Sequence, residues 1–232
     1  MTAEWYPTAP VILTDDLWAQ YAPPCQSSGT VAQRRAAYLA AEQAMVRYLG
    51  TPLVPTLVTG TFLWPVRHAP SLALPHNRVS AIHTVVAMLA EAEGAGQWTL
   101  TQDDATYLLR DATYGVIDLG YLETCLRRCG CPPLRPYQVY IEYTAGLPTG
   151  VAAADTSLHM ALAMAASLSL ADMVDPSALE GGAGDPGVQS FSQEGYSETR
   201  VPLVRTAFGT SARANRIVNL VRHLRLFRPL RM

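Results

Sequence analysis

Cys125, Cys129 and Cys131 stand close enough along the chain to suggest a zinc site, because a C-x3-C-x-C run could supply three thiolate ligands. The fourth ligand is missing: neither Cys25 nor any histidine falls at a ligand spacing, so buried or spectator thiols are expected. His68, His76 and His83 are spaced by eight and seven residues and match no metal pattern such as H-E-x-x-H. The carboxylate pairs Asp15-Asp16 and Asp103-Asp104 have no base or metal set beside them, and Asp103 reads as a turn or cap. Gly181-Gly182-Ala183-Gly184 lacks the Gly-Lys-Ser/Thr that completes a phosphate loop. The sequence thus predicts no catalytic residue, no metal and no cofactor, and a protein that is not an enzyme.

The chemistry that remains is charge. Arg200–Met232 carries eight of the seventeen basic residues and no carboxylate, while all nineteen acids lie before it. A run of one sign repels itself and seeks an opposite partner. Every basic residue is Arg, the weakly hydrated planar cation that pairs carboxylates in bidentate fashion. On a helix starting near Thr210 and ending before Pro229, Ile217, Leu220, Val221, Leu224 and Phe227 share one face. Arg222 and Arg225 lie opposite, and Arg216 flanks the stripe. A protein-docking arm, a nucleic-acid arm and an ordinary core helix all fit this pattern. The apolar stripe beside the arginines favours a protein groove. The candidate docking residues are Phe208, Ile217, Leu220, Val221, Leu224 and Phe227 as anchors, with Arg213, Arg216, Arg222, Arg225 and Arg228 as electrostatic partners. On this reading Ile217→Asp or Leu224→Asp abolishes docking and leaves the body folded.

The elements that must position these residues follow from pattern. A chain of 232 residues can hold one large domain, or one core with an inserted module. Only 16% of residues are charged against 49% apolar, which points to burial in an oligomer. The start has no basic and apolar leader, and Met160–Ala171 is too short to cross a bilayer, so a soluble, intracellular product with no membrane partner is expected. Residues 1–27, rich in proline and aromatics, read as extended. A helix is expected from Thr30, where Thr30 and Gln33 form a capping box, to Gly50. Strands are expected over Thr61–Val66, Val79–Met88, Gln97–Leu100, Thr106–Arg110, Gly115–Leu119 and Tyr137–Tyr143; Tyr121–Arg128 fits a strand or a short helix, with the strand preferred. A second helix, capped at Asp155 and running to about Met173, is apolar all round, so Leu158, Leu162, Met164 and Leu168 are expected to pack in the core and against neighbouring subunits. Gly181, Gly182, Gly184 and Gly187 form a hinge, and Ser190–Pro202 is extended. The expected class is α+β: a helical core (28–60 and 144–180), an inserted β-rich module (61–143), and a hinge with a C-terminal extended arm (181–232).

This order, with Arg47-Tyr-Leu-Gly-Thr-Pro-Leu-Val-Pro-Thr after the first helix, the turn Tyr143-Thr-Ala-Gly-Leu-Pro148, and the polar stretch Gly187–Glu198, resembles the tailed-bacteriophage head–tail connector (adaptor) family. The resemblance touches residues 28–60 and 137–232 and departs over 60–136, where compact members have much less chain. It implies a ring of identical subunits, usually dodecameric, seated beneath the portal protein. Such a ring extends the DNA channel and presents a platform to the next neck or tail protein. Genomic DNA would pass through without sequence-specific binding. The implied location is the virion neck, reached from the host cytoplasm during assembly. In this family the C-terminal segment commonly attaches to the portal, which here means Arg200–Met232. The alternative is a DNA-binding module using the basic C-terminal helix.

Overall fold

Gln33 N donates to Thr30 Oγ1 at 3.2 Å while Thr30 N donates to Gln33 Oε1 at 2.9 Å, so the capping box forms as the sequence proposes. The computed structural model describes residues 6–22, 29–64, 71–89, 97–100, 108–128, 137–174, 190–193, 196–199, 208 and 212–226. In chain order the helices are α1 (Asp15–Tyr21), α2 (Val31–Leu49), α3 (Leu119–Arg128), α4 (Val151–Ala154), α5 (Thr156–Val174) and α6 (Ala212–Val221), the last continued by a 3₁₀ turn, Arg222–Leu224. The strands are β1 (Thr56–Trp64), β2 (Ser71–Ala73), β3 (Val79–Leu89), β4 (Gln97–Thr99), β5 (Leu109–Asp111), β6 (Val116–Asp118), β7 (Tyr137–Ala145), β8 (Ser190–Gln193) and β9 (Tyr196–Thr199). The α+β class is observed, and the chain divides into a unit built on 7–49 with 152–225 and a unit built on 50–151.

The first unit is helical, with α1, α2 and α6 all packed against α5. Ala37, Ala41 and Met45 of α2 and Leu158, Ala161, Leu162 and Ala165 of α5 are buried, and the alanines at these spacings let the helices approach closely. Asp155 Oδ1 caps α5 by accepting from Leu158 N at 3.0 Å. The expectation of an extended N-terminal stretch is corrected at α1. Thr14 Oγ1 accepts from Leu17 N at 3.3 Å, and Asp15 and Asp16 fill the first turn, where the helix dipole favours negative charge. The Ser190–Pro202 stretch contains an antiparallel hairpin, β8 with β9.

The second unit holds a four-stranded antiparallel sheet ordered β1-β7-β3-β4 and a three-stranded sheet ordered β2-β6-β5. β7 is central: Val139, Ile141 and Tyr143 are fully buried, while Tyr140 and Glu142 point to the other face, as their alternation predicts. The strand expected over Tyr121–Arg128 is instead helix α3. Asp118 Oδ1 caps it by accepting from Tyr121 N at 3.0 Å, Leu122 and Cys125 bury one face, and Glu123 pairs with Arg127 one turn on. β2 was not foreseen. After β7 the chain turns at Gly146, whose φ is +151° and whose added Cβ would sit 2.2 Å from Val54 O. Only glycine fits that approach.

Candidate docking surface

α6 divides its side chains as the helical period requires. Ala214, Ile217, Val221 and Leu224 are buried within the helical unit, and Arg213, Arg216, Arg222 and Arg225 are exposed. Leu220 is half-buried between the two sets. The stripe read as docking anchors therefore packs on the chain's own core, and the outward face of the helix is cationic. Phe208 is half-buried with its ring centroid 5.9 Å from that of Tyr48 on α2, and the Arg225 guanidinium lies 4.7 Å over the Tyr48 ring. Phe227 and Arg228 lie outside the described residues, as do the hinge glycines Gly181, Gly182, Gly184 and Gly187.

Further contacts fix what surrounds α6 and α2. His223 Nε2 lies 2.7 Å from Asp155 Oδ2, joining the 3₁₀ turn to the residue that caps α5. Burial alone would push the Asp155 carboxyl up, but hydrogen bonds from His223 and from the backbone amides of Leu158 and Ser157 outweigh it and hold the group below its usual value. On α2, Glu42 is wholly buried and accepts three backbone N–H groups: Val11 at 2.7 Å on Oε2, and Ile12 at 2.8 Å and Leu13 at 2.7 Å on Oε1. Burial pushes its carboxyl up against the opposing pull of those three amides. Tyr38 O–H donates to Asp15 Oδ1 at 3.0 Å, and its pKa is pushed up to about 12, chiefly by burial.

The residues expected at subunit contacts split in two. Leu158 and Leu162 are buried in the helical unit, whereas Met164 and Leu168 are half-buried and continue a stripe with Met160 and Ala171. By length and composition α5 could cross a bilayer, and half of that stretch is buried among the other helices.

Among the described residues, the thiol and histidine candidates lie at separate places in the fold. Cys125 is buried in the core of the β unit beside Leu122, and Cys25, Cys129 and Cys131 lie outside the described residues. His76 is buried with Nδ1 2.9 Å from the Tyr143 hydroxyl; burial pushes His76 down and Tyr143 up, so both are neutral near pH 7. His83 instead lies on an exposed side, with Nε2 2.7 Å from Thr144 Oγ1. His68, Asp103 and Asp104 fall outside the described residues. Among the described residues no three metal-binding side chains converge. What this arrangement can do is pair charge along α6. Sequence reasoning missed Glu42, Tyr48 and the second role of Asp155, whose only local signal was its position as a cap.

A chain of the neck of an empty GTA particle, computed with C6 symmetry, superposes with a TM-score of 0.53 over 99% of this chain and 98% of that one, at 15% identity. The fold is one that a particle neck uses. A chain of the virion of the native gene transfer agent particle aligns over 93% of this chain and 89% of that one at 16% identity, with a TM-score of 0.43. No protein-family model matches the chain, and neither does any curated protein sequence. The likeness covers the insertion as well as the helical unit.

Proposed function

We propose that this chain is a structural, non-enzymatic subunit of a phage-type neck. Identical copies form a ring beneath the portal protein, extend the DNA channel and offer a platform to the next neck or tail protein. The observation that carries this reading is the fold shared over nearly the whole of both chains with a chain from a particle neck. A dodecameric ring, as the sequence resemblance implies, contains the six-fold axis of that neck. Portal attachment is assigned to the exposed arginines Arg213, Arg216 and Arg222, which would pair carboxylates on the portal, with Arg225 seated over Tyr48 beside them. The half-buried Met164 and Leu168 are assigned to a neighbouring copy.

The burial of α6 changes the test. Ile217→Asp would place a carboxylate in the helical core, so it would report folding rather than docking. The useful variant is Arg213→Glu/Arg216→Glu/Arg222→Glu, which alters exposed positions only. In mass photometry with the cognate portal, the wild-type chain should gain ring-sized mass on the portal and this variant should not. A wild-type chain indifferent to the portal would sink the reading.

A second reading has one observation in its favour: α6 and the 3₁₀ turn that follows it, with its capping residue, carry four exposed arginines and no acid. As a DNA-binding face it would bind free duplex with an affinity falling steeply as salt rises, a slope the triple reversal would flatten.

A further inference from the structure

β1 is an outer strand of the four-stranded sheet, and it lacks the features that normally keep an outer strand to itself. Thr56–Trp64 pairs with β7 through nine consecutive positions with no bulge. It contains no charged residue and no proline. Leu57 and Leu63 project to the open side at 54% and 62% exposure. Among the described residues no strand pairs with its second edge. A long, unbulged, uncharged edge offers a row of backbone donors and acceptors to an incoming strand.

The other edge of the same sheet suits it. β4, Gln97–Thr99, is also uncharged and, among the described residues, pairs only with the Val86–Met88 end of β3. All three junctions in the sheet are antiparallel, so its two outer strands run in opposite directions. Setting a second copy alongside therefore places β4 of one copy antiparallel to β1 of the next. The sheet continues without reversing, and the same contact repeats head to tail, which is the kind of interface that closes rings. The register agrees: Thr61, Tyr140, Val86 and Thr99 lie in one row across the sheet. An unslipped continuation puts Thr99 of one copy beside Thr61 of the next, a favourable cross-strand pair.

We propose that the β1 edge is the joint between copies of this chain, receiving β4 of a second copy as an added strand. The inference rests on the ring reading above and names its contact. Occupancy by a second copy is favoured over another partner because neither edge carries a charge that would select one, and because the polarity of each edge is matched by the other.

The test is a cysteine pair, Thr61→Cys with Thr99→Cys, oxidised under the conditions that give rings. Within one copy these positions are three strand spacings apart, roughly 14 Å, beyond disulfide reach. The double variant should give a ladder of covalent oligomers on a non-reducing gel, absent from the wild type and from either single variant. Pairing Thr99→Cys with Thr59→Cys or Leu63→Cys covers a slip of two residues in either direction. Rings that form normally while none of these pairs cross-links would overturn the joint and leave the ring reading standing. With Cys25, Cys129 and Cys131 changed to Ser throughout the set, a dimer band from Thr61→Cys alone would mean that β1 pairs with β1, and would also overturn it. If the wild type forms no ring with or without the portal, the ring reading and the joint fall together. As a second arm, Leu57→Lys/Leu63→Lys alters exposed positions only. It should lower the ring population at least tenfold with unchanged monomer circular dichroism, and an undiminished ring would count against the joint.

Discussion

The helical unit fastens its outlying segments with single side chains, whereas the β unit joins its loops backbone to backbone. In the first, residues 11–13 hang on Glu42, α1 is tied through Tyr38 and Asp15, and the end of α6 is tied through His223 and Asp155. In the second, Asn77 N donates to Gly50 O at 2.9 Å, Arg78 N to Thr113 O at 2.9 Å, Gly146 N to Arg78 O at 3.1 Å and Leu147 N to Pro52 O at 3.0 Å. Four loops meet there through groups that no side-chain substitution removes. The difference teaches where the chain can be adjusted. Segments of the helical unit can be loosened one residue at a time, while the β unit's junction, where Thr51 Oγ1 adds a side-chain bond to Asn77 O at 3.0 Å, rests mainly on backbone and yields most where a side chain is forced into the stitching.

Gly146→Ala is the hardest test of that contrast and should have the largest effect. Its Cβ would meet Val54 O at 2.2 Å and Val54 C at 2.6 Å, both backbone atoms that cannot turn aside, at a φ that side chains rarely adopt. The expected loss is about 3 kcal/mol or more, read as a lower midpoint in denaturant unfolding. An unchanged midpoint would show that the loops at this junction are not rigidly joined.

Next comes Glu42. Glu42→Ala leaves three N–H donors without their acceptor, at a cost of about 2–4 kcal/mol after partial rescue by water. Amide exchange should accelerate at Val11, Ile12 and Leu13 and stay unchanged in β7, as the contrast between the units requires. The group also has a pH signature. Its carboxyl is raised above 4.5 in the folded chain, so the folded state holds the proton more tightly than the unfolded one. Its contribution is therefore full below that ordinary value and is lost as pH rises through the raised one. Glu42→Gln, which cannot titrate, should flatten the fall in stability over that window. A slope identical to the wild type's would assign the pH dependence elsewhere.

Features contained within three or four residues were legible in the sequence. The Thr30–Gln33 box, the Asp155 cap and the alternation of β7 are of this kind, and each forms as read. Asp118 is an equally local cap, and its bond to Tyr121 N decides for the helix at α3, where the pattern alone fits strand or short helix. Thr14 and its two acids likewise marked α1, hidden among prolines. Glu42 had no such signal: the amides it receives lie 29 to 31 residues away, and in sequence it looks like any acid on a helix surface. For α6 the period of 3.6 revealed a stripe and an arginine face, since periodicity assigns residues to faces. It does not name what covers a face, and the stripe turned out to be covered by the chain's own helices.

The smallest effect is expected at the end of α6. The His223–Asp155 pair is short at 2.7 Å, but the histidine side chain is 53% exposed, so solvent screens the attraction. His223→Ala should cost under about 1 kcal/mol. Burying Ile217, Val221 and Leu224 contributes roughly 1.5–3 kcal/mol for each side chain, so the stripe holds the helix and the pair only trims its last turn. Asp155→Ala should cost more than His223→Ala, because the same carboxylate also caps α5. The two variants differ in pH as well. Asp155 is held below its ordinary 3.8 in the folded chain, so its contribution is present above that value and is lost as pH falls through the lowered one, a dependence that Asp155→Ala abolishes outright. Amide exchange along 212–224 separates the roles: His223→Ala should speed only the final turn. Release of the whole helix by that one substitution would mean that α6 is held by its clasp after all, and that its apolar stripe is available to a partner.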